Sequence, residues 1–208
     1  MDNTQIKGTN LKQEASREIK QSARELAEKR EKLKKITKRA LWLFVAAGIA
    51  YLLVTWIVGQ FPKGPDYSRS FHILGREHIS PGSPRPEYNS DPPTSGPHHP
   101  NPADVSFYSK ELPDEQLVHN LEHGHVWISY RSDLSQEVVD KLKGFAGGSV
   151  IVTMRLRNDS DIALAAWGRL DKFNLESGPF PAQRIKDFIL RYQNRGPENP
   201  NLPSHFRQ

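Results

Sequence analysis

The sequence predicts an α+β domain, a small mixed or antiparallel sheet with about three helices, preceded by one transmembrane helix. Three observations carry this. Leu41 to Val58 is an uninterrupted apolar run, Val150–Leu156 and Ile162–Trp167 alternate as strands do, and apolar residues recur at helical spacing around His119, over 136–145 and over 181–191.

Composition divides the 208 residues before any motif is considered. Residues 1–40 hold 12 Lys/Arg and 6 Asp/Glu, whereas residues 59–208 hold 17 and 18. The basic character of the chain therefore belongs to its N-terminal arm, which argues against nucleic-acid binding by the C-terminal part. The arm reads as one charged helix. Ile19, Leu26, Leu33 and Ala40 recur every seven residues, a spacing that admits a short coiled coil and a homodimer. Most of the alternate heptad positions lack an apolar residue, so a solvated helix held near anionic lipid by its lysines is the favoured reading.

The run Leu41–Val58 contains no charge and carries Trp42 and Trp56 near its ends. Eighteen helical residues span about 27 Å, close to the thickness of a bilayer core, and tryptophans favour the two interfaces. A core helix of a soluble domain would be apolar on one side only. A cleaved signal peptide would need a forty-residue basic leader and a small-residue cleavage site, which is missing here. Lys34, Lys35, Lys38 and Arg39 crowd one flank, against Lys63 alone on the other. The positive-inside rule then expects a single pass through the cell membrane, with the N-terminus cytoplasmic and the C-terminal domain periplasmic or extracellular. The expected organisation is a basic arm (1–40), a membrane span (41–58), a linker (59–70), an extracytoplasmic α+β domain (71–195) and a disordered tail (196–208).

Within the domain, Phe71–Leu74 is expected as a short strand, and residues 81–102, with eight prolines, as an irregular ordered loop. Phe107–Ser109 is expected to be extended and His125–Tyr130 to be a strand. Helix 136–145 turns Val138, Val139 and Leu142 inward, and helix 181–191 buries Ile185, Phe188 and Ile189. Val150–Leu156 and Ile162–Trp167 are expected to pair through a turn at 158–161.

Chemistry concentrates in His119-Asn-Leu-Glu-His123-Gly124. Pro113 fits the first helical position, Asp114 and Glu115 suit the positive helix end, and Gly124 supplies a left-handed stop. Four residues apart, His119 and His123 share a helix face and can share one metal ion. Leu117 and Leu121 point nearly opposite, so the pair is expected to be displayed rather than buried. A third imidazole, His98, sits in Pro92-Pro-Thr-Ser-Gly-Pro-His98-His99-Pro100, where rigid prolines fix its pose at low entropic cost. A three-histidine set leaves one position open for water or substrate. The chain has no cysteine and one methionine beyond residue 1. Any metal is therefore a divalent ion suited to imidazole and carboxylate, Zn(II) or Cu(II).

The spacing His-x-x-Glu-His also matches a metalloprotease motif that requires a further acidic ligand. Glu176 and Glu198 are the distant glutamates available, and neither falls on an expected helix. Glu122 can orient an imidazole, act as an acid–base group or form an ion pair. The histidines can equally build a metal-free polar network. His72, His78 and His205 read as ordinary surface residues, and Trp167 and Arg169 as core and surface. His125 points to either side of its strand.

Several blocks together, Pro92–His98, Leu117–Gly124, Val126–Tyr130 and Ala165–Arg169, resemble domain of unknown function 3105, a bacterial and often membrane-associated family, over roughly residues 66–196. The resemblance places His98, His119, Glu122 and His123 at the family's polar motif positions, and implies that His99 and His125 stand where relatives carry other residues. It implies an exported domain and brings no activity. The leading expectation is thus a membrane-anchored extracytoplasmic protein, in metal binding or envelope maintenance, with His98, His119 and His123 as ligands. The alternatives are a metal-dependent hydrolase using Glu122 and a metal-free module that engages a protein partner in the envelope.

Overall fold

The computed structural model describes residues 3–199, with backbone alone over 3–19, 21–23 and 27. Two units separate near Gly59. The first is one helix, α1 (Asn3–Val58), which runs through both the basic arm and the apolar segment. The side chains from Leu41 to Val58 are exposed along this helix, which is long and apolar enough to cross a membrane.

The second unit is a mixed α+β fold built on one six-stranded sheet. Its elements are β1 (Arg69–Ser70), β2 (Phe107–Tyr108), α2 (Asp114–Glu122), β3 (Val126–Tyr130), α3 (Gln136–Lys143), β4 (Val150–Met154), β5 (Ile162–Ala166), β6 (Arg169–Phe173) and α4 (Ala182–Tyr192). The strand order is β1-β6-β5-β3-β4-β2. The expected pairing of 150–156 with 162–167 is not made: β3 lies between them, parallel to β4 and antiparallel to β5. The reason is the connection through α3. A helical crossover returns the chain parallel to the strand it left, so β4 adds on one side of β3 and leaves the other side for β5. The second antiparallel partner of β5 is β6, joined to it through Trp167 and Gly168, with Gly168 at φ 66°. The strand expected at 71–74 is a two-residue pairing at 69–70 instead.

Both faces of the sheet are covered, which is why all five residues of β3 are buried. Val126, Ile128 and Tyr130 pack with Val150, Val152, Ile162 and Leu164 against Leu142 of α3 and Ile185 and Phe188 of α4. The opposite face, Trp127, Ile151, Ala163 and Ala165, receives Leu117 and Leu121 of α2. Trp127 also donates Nε1–H to Thr153 Oγ1 at 2.8 Å, which satisfies its polar atom in the core. Alternation along each strand thus sets the apolar side of α2 on the sheet and turns its histidines to the far side.

Candidate metal centre

Helix α2 is held at both ends. Its first residue, Asp114, accepts two hydrogen bonds from the buried Arg155 that follows β4, Nε at 2.9 Å and Nη2 at 2.7 Å. Arg155 also bonds Asp91 of the proline-rich loop, and Arg85 of the same loop reaches Asp114 at 2.7 Å. Burial alone pushes the Asp114 carboxyl up, but the bonds and charges of Arg155 and Arg85 outweigh it and hold the group below the usual carboxylate range. At the other end Gly124 takes φ 86°, the expected left-handed stop.

The far side of α2 is largely covered: His119 is buried, contrary to the display expected for the histidine pair, whereas His123 stays partly exposed. The chain from Gly75 to Pro102 folds over it, with a cis Asp91–Pro92 bond. Asn120 clamps the end of this loop, accepting from Ala103 N–H at 2.9 Å and donating to Ala103 O at 2.8 Å. A strand-like contact joins its two arms: Ile79 N–H donates to His98 O at 2.8 Å and His98 N–H to Glu77 O at 2.9 Å. The loop is ordered because prolines limit its freedom and these backbone groups are paired.

This cover assembles four side chains, His78, His98, His119 and Glu122, whose ligand atoms lie within 4.8 Å of one another. His98, His119 and Glu122 are 0 %, 4 % and 1 % exposed. His98 Nε2 faces Glu122 Oε2 at 2.9 Å. His78 stacks on His119, with ring centroids 5.2 Å apart, and His98 meets both rings edge-on. Arg76 approaches the other Glu122 oxygen at 3.7 Å.

Hydrogen bonds fix which nitrogen each ring presents. His98 Nδ1–H donates to Gly96 O at 2.7 Å, and His119 Nδ1–H donates to His99 O at 2.7 Å. A carbonyl oxygen only accepts, so both rings carry a proton on Nδ1 and turn Nε2 into the group. For His119, burial is the main influence and keeps the ring below the usual imidazole range, with neighbouring His123 and His98 adding to it; its Nε2 lone pair faces His123 Nε2 at 2.9 Å. For His98, burial works downward, but the bonds to Glu122 and Gly96 O carry it above that range. Apart from their mutual contact at 2.9 Å, His98 Nε2 and both Glu122 oxygens have no hydrogen-bond partner despite being buried. A lone pair and a carboxylate 2.9 Å apart repel each other unless something positive lies between them, which a proton or a metal ion supplies.

The second nearby group is His119, His123 and Glu198. His123 Nε2 lies 2.9 Å from His119 Nε2 and 3.8 Å from a Glu198 oxygen. The tail expected to be disordered from residue 196 begins instead as a packed segment: Glu198 N–H donates to Glu122 O at 3.1 Å, and Gly196 lies flat on the end of α2. A Cβ on Gly196 would lie 2.5 Å from Leu121 O and overlap the Glu122 carbonyl, so the close approach depends on glycine. Residues 200–208, His205 among them, lie outside the described residues.

The expected triad is therefore divided. His98 and His119 meet in one group, His119 and His123 in another, and His119 belongs to both. Glu122, the candidate acid–base residue, faces His98 rather than a cleft. His78 is exposed, as expected, but it is not an isolated surface residue: its backbone pairing with His98 sets its ring at the edge of the buried group. Glu198, one of the two distant glutamates available to the metalloprotease motif, is the acidic neighbour of His119 and His123, and it sits on no helix. His125 lies on the α2 side with Nδ1 3.4 Å from Asn120 Nδ2, in neither group. His99 contributes its backbone carbonyl, which accepts from His119 Nδ1–H.

The family model for a protein of unknown function, DUF3105, matches residues 80–204. The chain belongs to this family. The match contains His98, His119, Glu122, His123 and Glu198, and begins two residues after His78. No curated protein and no solved structure is matched by this sequence.

Proposed function

We propose that this family member is a membrane-anchored, extracytoplasmic protein whose folded domain binds one divalent ion, Zn(II) or Cu(II), through His98, His119, Glu122 and His78. The observation that carries the reading is the pair of Nδ1-anchored imidazoles, whose Nε2 atoms gather with a buried carboxylate within 4.8 Å of one another. Backbone anchoring of the distal nitrogen is how ligating histidines are oriented. The absence of cysteine leaves imidazole and carboxylate as donors, which suit these two ions. Four protein ligands make a closed set, as in structural rather than catalytic zinc sites. Glu122, 1 % exposed, is out of reach of a substrate, so binding is favoured over hydrolysis.

Metal analysis of the full-length chain tests this. Purified in detergent, dialysed against Zn(II) or Cu(II) and then against metal-free buffer, it is expected to retain about one ion per chain. Retention no greater than in a buffer blank would refute the reading.

The lysines and Arg39 before Leu41 support a cytoplasmic N-terminus and an external domain. Protease added to intact spheroplasts is then expected to digest the folded domain and spare an N-terminal epitope. Protection of the domain until the membrane is opened would reverse the orientation. A homodimer through α1 and a protein partner in the envelope are compatible associations, and both belong to this proposal rather than to the fold.

A further inference from the structure

We infer that His119 serves two cation positions in turn, an exposed one with His123 and Glu198 and the buried one with His78, His98 and Glu122, so that metal enters and leaves the domain through the exposed set. This rests on the proposed reading of the buried group as a metal site.

The two groups share His119 and nothing else. Its Nδ1–H is committed to His99 O, so it offers a single lone pair and binds one ion at a time. The two positions are therefore alternatives for one ion and not a binuclear centre. They differ in access: the His123 and Glu198 side chains are 35 % and 44 % exposed, whereas three of the four inner ligands are buried. His78 is the one exposed inner ligand, so an ion arriving from water finds two ligands of the outer set at the surface against one of the inner set.

A second observation points to a cation there. Glu122 and Glu198 both sit at the C-terminal end of α2, where the helix carries partial negative charge and acidic groups are disfavoured. The chain nevertheless secures Glu198 at this place, through the close approach of Gly196, the bond of Glu198 N–H to Glu122 O and Asn194 at φ 60°. His119 Nε2 and His123 Nε2 stand 2.9 Å apart. Two nitrogens on one tetrahedral zinc are about 3.3 Å apart when the bonds are 2.0–2.1 Å, so a small ring rotation admits the ion.

Transfer inward is a balanced exchange of ligands. The Glu122 carboxylate replaces the Glu198 carboxylate, His98 Nε2 replaces His123 Nε2, and His78 replaces a coordinated water. His119 remains bound throughout, and any proton on His98 Nε2 leaves to water. One carboxylate is present before and after, and no electron moves. The inner set has one more protein ligand, which gives the exchange its direction.

Stopped-flow mixing of the full-length, metal-free chain with Zn(II), and of the loaded chain with a chelator, tests the inference in wild type, His123→Asn and Glu198→Gln. Both variants are expected to hold about one ion per chain at equilibrium, which also shows that they are folded, while loading and removal slow by at least about tenfold. Rates equal to wild type would overturn the relay and leave the buried site standing. Loss of equilibrium binding in His123→Asn would also overturn it, by placing His123 in the tight site. A wild-type chain that takes up no Zn(II) would remove both the site and the relay.

Discussion

His119→Ala and His98→Ala are each expected to weaken Zn(II) and Cu(II) binding by more than about a hundredfold. The magnitude follows from what each ring contributes. Removing a partner that merely orients a ligand costs about 10- to 100-fold in affinity, and removing the ligand itself costs more. His119 is the stronger case because it belongs to both groups, so its loss closes the inner position and the way in. His72→Ala, at an exposed residue in neither group, is the matched control and is expected to bind as wild type does. Isothermal titration of the full-length proteins reads the affinities. Wild-type affinity in both His98→Ala and His119→Ala would remove the site and leave the metal-free polar network in its place. In that network the positive partner of Glu122 is protonated His98, a role that the bond between them already favours.

Much of this centre is legible in the sequence, and the part that is not has identifiable causes. The spacing of His119 and His123 with the Gly124 stop is local information, because helix periodicity and a left-handed terminus depend on neighbours in the chain. The rigid presentation of His98 is local too, through its prolines. His78 reaches the group by two backbone bonds with the strand-like segment at His98, and nothing in the spacing around Arg76-Glu77-His78 announces that pairing. Glu198 arrives because Gly196 lets a backbone lie against the end of α2, and a glycine before Pro197 reads equally well as the start of a disordered tail. The burial of α2 reflects the same distinction. Leu117 and Leu121 mark the side that meets the sheet, but only the fold reveals that a loop covers the other.

The sheet shows the limit of alternation as a guide. Periodicity identifies β4 and β5 as strands without naming their neighbours, since pairing is decided across the chain by register and connection. Two successive strands joined by a turn suggest a hairpin, yet α3 had already brought β4 alongside β3 in parallel. The space left at β3 accepts β5 in the antiparallel sense.

Arg155→Met is expected to destabilise the domain by about 3–5 kcal/mol, the usual cost of breaking a buried ion pair from one side. Against a typical total of about 5–15 kcal/mol this is a large fraction. In the sequence Arg155 falls within the strand expected at 150–156. In the fold it is buried, bonds Asp114 twice and Asp91 once, and reaches Asn158 Oδ1 at 3.3 Å. It thus joins β4, the start of α2 and the loop that carries His98, and its loss leaves Asp114 buried with Arg85 as its remaining charged partner. The pH dependence distinguishes this cause from lost packing. Asp114 titrates below the usual carboxylate range in the folded state, so its contribution is fully present above the unfolded value near pH 4 and disappears as pH falls through the lower folded value. The gap in Tm between wild type and Arg155→Met, measured on full-length protein in chelator by near-ultraviolet circular dichroism, is therefore expected to narrow as pH falls from 7 towards 3. Trp127, whose ring lies 5.8 Å from the Arg155 guanidinium, provides the local signal. A gap that stays constant over that range would show that Arg155 stabilises the domain by filling space, with the ion pair contributing nothing.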